Sequence, residues 1–395
     1  MKKKLLAILL AAGILLTLCP AALAAEVPAD AIAGAQKYLL ESMPRGTSGG
    51  AADHVMFTLV RSGAALPEGY ALQYYESVTA ELAENGSPAG RGRSGEFARA
   101  ALALRAMGKD PANVCGQNLL TALADFDACA QTGLPGVLTA LRTLDCANYD
   151  IPAVDGVSTP ATRELYLSAI LNAQLPDGGW ALHGGKADAA TTASVLQALA
   201  RYRDQQQVAN AVALGVERLS ALQQDDGGYT VWSTPSSEPT AQVLLALCAL
   251  DIAVDDERFT KNGATALDKL LSYRDASGGF LGSLHPNLTA TYQALQALCA
   301  VQRAQSGQAE LYDLTDVTLT AQPELTSGVK AAQLQKNGAV FSDTEAHENR
   351  DAINILGSFG IISGVGGGRF SPDSTMTRAQ FAKIVVCALG LEAQY

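Results

Sequence analysis

The chain has 395 residues, enough for one large domain and a smaller second one. It is 48% hydrophobic and only 6% aromatic, with Ala and Leu dominant, which favours helices packed through small side chains. The net charge of -11 argues against nucleic acid and against anionic membrane surfaces as partners.

The first residues read as an export signal. Lys2, Lys3 and Lys4 form a basic region, Leu5 to Leu18 an apolar one, and Ala22-Leu23-Ala24 a small-residue cleavage site. The expected signal peptide is therefore 1–24. Its apolar run is short for a membrane span, and no later stretch is long enough to provide one. Leu18 stands before Cys19 where a lipoprotein site needs a small residue. The mature chain is expected outside the cytoplasm. Cys115, Cys129, Cys146, Cys248, Cys299 and Cys387 remain after cleavage, an even set that permits disulfides. Cys248 and Cys299 nevertheless occupy equivalent positions, where Ala200 stands one repeat earlier. A slot that alternates Ala and Cys is small and buried, so free thiols are expected there. There is no CxxC and there are only 4 His, so neither a structural zinc site nor any other metal or cofactor is expected.

In chain order, residues 26–45 read as a first helix, broken by Gly49-Gly50 and followed by a second over Val55 to Val60. Further helices are expected over Ala71 to Ala83, Glu96 to Met107, Pro111 to about Ala124, Leu134 to Leu144, and Pro160 through Asn172. The next stretch, Gln174-Leu-Pro-Asp-Gly-Gly-Trp180, returns as Gln223-Gln-Asp-Asp-Gly-Gly-Tyr229 and, eroded, as Arg274-Asp-Ala-Ser-Gly-Gly-Phe280. The second Gly moves from 179 to 228 to 279, steps of 49 and 51 residues. A matched helix follows each mark, over Thr192–Leu199, Thr240–Leu247 and Thr291–Leu298. A period of that length between helical stretches reads as stacked helical hairpins. The Gly pair is expected to end the preceding helix, the aromatic to pack over the turn, and the Gln to bond carbonyls left open at a helix end. On one face of the next helix lie Val208, Val212, Val216 and Leu219, then Leu267, Leu270 and Leu271 in the following one. Six pairs result: 29–62, 71–107, 111–144, 160–202, 206–250 and 262–303. A helical solenoid leaves open ends that need caps, whereas six pairs can close into a ring. The expected fold is all-α, a six-hairpin (α/α)6 toroid over 26–305, then a linker over 306–340 and a small helical module over 341–391. Within the linker, Asp313 to Thr320 could form a short strand.

The marks at Gln174–Trp180 and Gln223–Tyr229 resemble the repeat motif of the squalene–hopene cyclase and protein prenyltransferase beta-subunit superfamily, which implies the six-fold α/α toroid. The same toroid occurs in cobalamin carriers and in exported proteins of Gram-positive bacteria. The C-terminal stretch has a different pattern. Phe341-Ser-Asp343, Ala352-Ile353, Leu356, Gly360-Ile-Ile-Ser-Gly364, Gly368-Arg-Phe-Ser-Pro-Asp373 and Thr377-Arg-Ala-Gln-Phe381 together resemble one S-layer homology (SLH) module. That resemblance implies attachment to pyruvylated secondary cell-wall polysaccharide at the surface of a Gram-positive-type bacterium. Arg378 matches the family's glycan-contacting arginine, and Thr377 is the expected N-cap beside it. A guanidinium suits a carboxylate as a two-pronged, permanently charged donor. Three departures stand out: Gln380 where Glu is usual, Glu348 where Trp usually follows His347, and one module where three normally assemble.

Inside the ring, the chemistry of the relatives is missing. No Asp-x-Asp-Asp run supplies a cyclase acid, since Ala253 stands where the first Asp of Asp255-Asp256 would need its partner. Asp127-Ala-Cys129 imitates a zinc-ligand spacing without a suitable His. Glu96 and Asp188 sit four residues before equivalent inner-helix positions, Ala100 and Thr192, Asn287 takes that place before Thr291, and Glu238 lies nearby. The acids read either as helix caps and first-turn acids or as carboxylates ringing one mouth of the toroid. Trp180, Trp232 and His183 lie in the same loops, as packing residues or as the lining of a cleft. The expected function is a surface protein whose SLH module attaches to the wall. Its toroid would then bind an unknown small molecule or glycan without catalysis. The alternatives are a toroid enzyme, terpenoid-cyclase-like or glycan-active, and a corrinoid-binding protein.

Overall fold

The structure, a computed structural model, describes residues 26–85, 93–231, 234–321, 341–358, 362 and 364–388. The expected signal peptide lies outside the described residues. The chain divides into two compact units, Met1–Gln322 and Pro323–Tyr395.

In the first unit the helices come in pairs. They are α1 (Ala29–Ser42) and α2 (Ala51–Arg61), α3 (Tyr70–Asn85) and α4 (Ser94–Ala106), α5 (Phe126–Ala130) and α6 (Leu134–Asp145), α7 (Arg163–Asn172) and α8 (Ala189–Leu199), α9 (Gln206–Leu222) and α10 (Ser237–Ala249), and α11 (Ala266–Ser272) and α12 (Leu288–Gln305). The second member of each pair packs against the second members on either side, and α12 returns to α2. Six parallel inner helices therefore close into a ring, with the first members outside. Strand structure among the described residues amounts to two short antiparallel ribbons, Thr230–Val231 with Thr234–Pro235 and Thr260–Lys261 with Ala264–Thr265.

The sequence explains which helix goes where. Outer α9 buries Val208, Ala211, Val212, Gly215, Val216 and Leu219, a single stripe at helical spacing, and leaves its other face in water. Inner α10 buries consecutive residues from Val243 to Leu247, as a helix covered by outer neighbours and flanked by two inner ones must. Glycines bring the layers close. A Cβ at Gly215 would meet Leu196 and the Trp180 ring, each at 2.9 Å.

Ring closure has its own contacts. Arg274 stands where the first two marks have Gln. It donates to the Asp30 carboxylate at 2.6 Å and to the Asp30 carbonyl at 3.0 Å. Gly278 packs on Gly34 so tightly that a Cβ at 278 would lie 2.5 Å from the Gly34 carbonyl oxygen. On the inner layer, Gln296 of α12 donates to Thr58 of α2 at 2.8 Å. The last hairpin is thus tied to the first in both layers.

Three expectations change. The stretch from Pro111 to Ala124 is a β-bridged turn, Val114 with Gln117, followed by a 3-10 helix over Leu119–Leu123. Asn118 and Asp125 cap in quick succession, Asn118 accepting from Leu120 N–H and Asp125 from Asp127 N–H, so no long helix propagates between them. Residues 306–321 are not linker. Leu311 is 1% exposed and Leu314 fully buried against the ring. Asp313–Thr320 forms turns and no strand, because its N–H groups bond locally, Asp313 to Glu310 O and Val317 to Leu314 O, or to single ring carbonyls, Leu314 to Cys146 O and Thr320 to Gly108 O. The remainder of the expected linker, 322–340, lies outside the described residues.

The second unit holds α13 (Arg350–Ser358) and α14 (Arg378–Ala388). Phe341, Ile353 and Ile362 form its core, with Phe370 and Ile384 packed against them. The Asp343 carboxylate accepts the N–H groups of Phe370 and Ser371, both at 2.8 Å. These bonds fix the Gly-rich turn over the core.

Candidate functional site

The three marks share one geometry. The first Gly of each pair, at 178, 227 and 278, is left-handed with φ of 87°, 83° and 87°. It sits in a turn closed by Leu175 N–H to Gly179 O at 2.8 Å, Gln224 N–H to Gly228 O at 2.9 Å, and Asp275 N–H to Gly279 O at 2.9 Å. The preceding helices have already ended at Asn172, Leu222 and Ser272, so the Gly pair shapes the turn and does not cap the helix. The aromatic N–H then donates to the repeat threonine: Trp180 to Thr192 at 2.9 Å, Tyr229 to Thr240 at 3.2 Å, Phe280 to Thr291 at 2.9 Å. The Gln reaches forward. Gln174 donates to Gly178 O at 2.8 Å and Ala211 O at 2.9 Å, and Gln223 to Gly227 O at 2.9 Å and Phe259 O at 2.8 Å. Each mark thereby clamps its own turn to the next outer segment.

These contacts decide the residues expected at the mouth. Trp180 is fully buried in the wall and donates its indole N–H to Ile170 O at 2.8 Å. It packs between layers and does not face a cleft, because its body fills the space that Gly215 leaves open. Asp188 is the N-cap of α8, accepting from Thr191 N–H at 2.7 Å. Glu238 lies in the first turn of α10 and accepts from the Ser236 hydroxyl. Glu96 lies in the first turn of α4 and pairs with Arg93, which also holds Glu81. His183 is exposed in the loop before α8. Trp232 lies outside the described residues. All three acids thus stand at inner-helix N-termini, each engaged locally.

One acid is sequestered. Asp53, buried in α2, accepts from the Tyr74 hydroxyl at 2.7 Å and from Gly49 N–H at 2.9 Å. Burial raises its pKa, against those two bonds. It borders a void of only about 10 Å³ between helices. Its spacing in the sequence carried no sign of this environment.

The inside of the ring is lined with amides. Gln197 of α8 donates to Gln242 Oε1 of α10 at 3.1 Å, and Gln242 donates to Gln293 of α12 at 3.2 Å. Ser194 joins at 3.3 Å. Ser194, Gln242 and Gln293 each lie two residues beyond a repeat threonine, and Gln197 lies five beyond the first. His54 stacks on Tyr292 with ring centroids 5.0 Å apart. Burial, then the Arg99 and Arg142 charges, lowers its pKa to about 4, so it is neutral at pH 7.

At the opposite mouth, where the inner helices end, residues 306–321 cross as a strap. Tyr312 stacks on Phe57 at 4.9 Å, lies under the Arg142 guanidinium at 4.5 Å, and donates to Gln296 Oε1 at 3.2 Å. Arg61 donates to the carbonyls of Leu311, Glu310 and Asp313 and to Asp316. Farther along, Leu314 N–H reaches Cys146 O at 2.6 Å, and Thr320 N–H reaches Gly108 O at 2.7 Å. Between the strap and the ends of α6, α8 and α10 lies a cavity of about 230 Å³, with Arg142, Gln197, Arg201, Glu310 and Asp313 among its lining. A second, of about 540 Å³, lies on the other side of Glu310, against Cys248, Val254 and Leu311. Burial raises the Glu310 pKa, against the Arg142 charge. None of these strap groups stood out in the sequence, since 306–321 has no periodicity.

In the second unit, Thr377 and Gln380 cap α14 reciprocally. Gln380 Oε1 accepts from the Thr377 N–H at 2.8 Å, and the Gln380 N–H donates to the Thr377 hydroxyl at 3.3 Å. The amide oxygen does for this cap what a carboxylate would do. Arg378, the next residue after Thr377, is exposed and has no carboxylate within ion-pair distance among the described residues.

Asp127 and Cys129, the pair at a zinc-like spacing, are each engaged within the protein. Cys129 is buried, accepting from Tyr166 OH at 3.3 Å, and Asp127 accepts from Thr159 at 2.7 Å. Among the described residues no group of three or more His, Cys, Asp or Glu is placed to hold a metal ion. Cys115, Cys129, Cys146, Cys248 and Cys299 are free thiols. Burial pushes Cys248 and Cys299 up to about 12. No helix among the described residues is long and apolar enough to cross a membrane.

The prenyltransferase alpha-alpha toroid domain family model matches residues 137–264 and 237–352, more than half of the chain. The S-layer homology domain model matches residues 340–382. No curated protein matches. An S-layer homology domain implies a protein of the cell surface, associated with the wall. By its closed ring of helical pairs and these matches, the chain belongs to the prenyltransferase alpha-alpha toroid domain family and carries a C-terminal S-layer homology domain.

Proposed function

We propose that this is an exported wall-associated protein in which Arg378, oriented by the Thr377 cap, attaches the chain to a pyruvylated wall polysaccharide. The toroid then serves as a non-catalytic binding domain for a small molecule or glycan. The observation that carries the attachment is the exposed Arg378 guanidinium, with no carboxylate within ion-pair distance among the described residues, at a helix start fixed by two reciprocal hydrogen bonds. An unspent guanidinium there favours an acidic glycan, helped by the positive end of the helix dipole. For the toroid, the support is the amide belt. Amides bind hydroxyls and amides well, and they do not stabilise carbocations as aromatic faces do.

The test is co-sedimentation with purified walls. Wild type is expected to pellet, and Arg378→Ala to lose at least tenfold in affinity. Equal pelleting of the two proteins would remove Arg378 from the account. Walls stripped of pyruvate should release the wild type.

A glycan-active toroid is the alternative, favoured by one observation: Glu310 has its pKa raised by burial, and Asp313 lines the same cavity. Release of reducing ends from wall glycan, lost in Glu310→Gln, would replace the non-catalytic proposal. A corrinoid macrocycle finds little support in cavities of about 230 and 540 Å³.

A further inference from the structure

We propose that the cavity between the strap and the ends of α6, α8 and α10 is the ligand site of the toroid, and that it takes a single uncharged, hydroxyl-rich ring, a neutral monosaccharide unit. This deepens the proposal of a glycan-binding toroid and rests on it.

The first support is the cavity's charge balance. Its lining holds three guanidiniums, Arg142, Arg201 and Arg203, against three carboxyls, Asp145, Glu310 and Asp313. A site so balanced offers no net field to an ion, and an ion entering it must be desolvated without one dominant partner. The second support is which of these groups are already engaged. Arg203 pairs with Asp251 at 2.9 Å, Asp145 with Arg163 at 2.8 Å, and Arg201 donates to Asp145 O at 2.9 Å. Arg142 has no carboxylate within ion-pair distance among the described residues. Its hydrogen bond to Gln197 is long, at 3.4 Å. Among the described residues the Glu310 carboxylate accepts one hydrogen bond, from the Tyr312 N–H at 3.2 Å. Donors on Arg142 and acceptor capacity on Glu310 therefore remain for a ligand.

Both groups are planar and two-pronged, and so is the Gln197 amide. Planar pairs of donors or acceptors match vicinal hydroxyls, which a sugar presents around its ring. A single charged ligand group would satisfy one of them and leave the others desolvated. The site is also held in place. Tyr312 is fixed between Phe57 and Arg142, so the guanidinium is positioned by a ring that the strap delivers. The cavity reaches the surface past Arg201 and Arg203, both exposed, which leaves an entry for a free sugar or for the end residue of a chain. About 230 Å³ admits one ring and excludes a second.

The test is calorimetric titration of the full chain with D-glucose and N-acetylglucosamine as neutral probes, and with glucuronate and glucosamine as anionic and cationic controls. At least one neutral probe should bind saturably, with each charged analogue at least tenfold weaker. Arg142→Gln and Glu310→Gln should each weaken binding at least tenfold. Arg142→Lys, which keeps the charge but loses the planar fork, keeps the test valid if either of those variants unfolds. It should weaken binding at least threefold with an unchanged melting temperature. A disaccharide with the best ring at its end should bind as well as the monosaccharide if the natural ligand is a chain end, and more weakly if it is a free sugar. Absence of saturable neutral binding, equal binding of a charged analogue, or binding unchanged in the variants would overturn the site. None of these outcomes touches wall attachment through Arg378. Chemical conversion of the probe, read by NMR, would instead sink the non-catalytic proposal while leaving the site in place.

Discussion

Arg61 and Asp316, 255 residues apart in sequence, meet in an ion pair in which Arg61 Nη1 reaches both carboxylate oxygens, at 2.9 and 3.2 Å. Arg61 ends inner helix α2, and Asp316 lies in the strap. Arg303, on the last turn of α12, reaches the same carboxylate at 2.6 Å. The first and last inner helices are therefore joined through one acid on the segment that covers their mouth.

This pair predicts local loosening on mutation. Arg61→Met removes donors from three strap carbonyls and leaves Asp316 with one partner, at a cost of about 3 kcal/mol. Hydrogen exchange should speed up in 309–321 before the ring helices are affected. Burial alone would raise the Asp316 pKa, but hydrogen bonds from Arg61 and Arg303 outweigh it and hold the carboxyl below its ordinary value. A depressed carboxyl stabilises the fold fully above its unfolded pKa, near 3.8, and that contribution fades as pH falls through the folded value. Strap protection should accordingly survive at pH 5 and fail first under strong acid. Uniform exchange rates in Arg61→Met would show that the strap is held by burial of Leu311 and Leu314 alone.

His54 predicts a second, milder pH effect. Burial lowers its pKa from 6.5 to about 4, so the folded chain prefers the neutral ring. Its contribution is complete above pH 6.5 and is lost progressively as pH falls toward 4. The loss is on the order of 2–3 kcal/mol at one 1.4 kcal/mol step per pKa unit, discounted for partial exposure. In His54→Gln, urea unfolding measured across that window should lose the slope. An identical slope in the variant would assign it to other groups.

Ring closure predicts an intolerant glycine. Gly278→Ala puts a Cβ 2.5 Å from Gly34 O at a residue with φ of 87°. The left-handed backbone and the forced separation together cost about 2–4 kcal/mol. Gly184→Ala is also left-handed but meets nothing within 4 Å, so it should cost about 1 kcal/mol. Comparable urea midpoints for the two variants would mean that the first and last hairpins are not in tight contact.

Trp180 predicts a large core loss without loss of binding. Trp180→Ala should destabilise by about 3–5 kcal/mol. Trp180→Phe should cost less, keeping most of the packing but leaving Ile170 O without the indole donor. Neither variant is expected to change sugar or wall affinity at temperatures where it remains folded. A selective affinity loss in folded Trp180→Phe would return this residue to the mouth.

The candidate site was less legible than the fold. Glu96, Asp188 and Glu238 were visible because they precede matched inner helices, but helix starts select acids for capping whatever the function. Trp180 was visible as the end of a mark, and burial in the wall was its reason for being there. Arg142, Glu310 and Asp313 were invisible. Arg142 closes an ordinary helix, and the two acids sit in a stretch with no repeat. The Thr377 cap was legible because a short module keeps its turn and cap within a few adjacent residues.

The sequence by itself determined the last three helix pairs, the helix that follows each mark, and the three copies of the Gly-Gly-aromatic turn. These depend on local periodicity and on contacts between neighbouring repeats, which the order of residues encodes directly. Only the tertiary structure decided that α12 meets α2, that residues 306–321 cover one mouth, and that Arg142 shares a cavity with Glu310. Those contacts join residues far apart in the chain, and they exist only once the closed ring has brought both ends of the sequence to the same place.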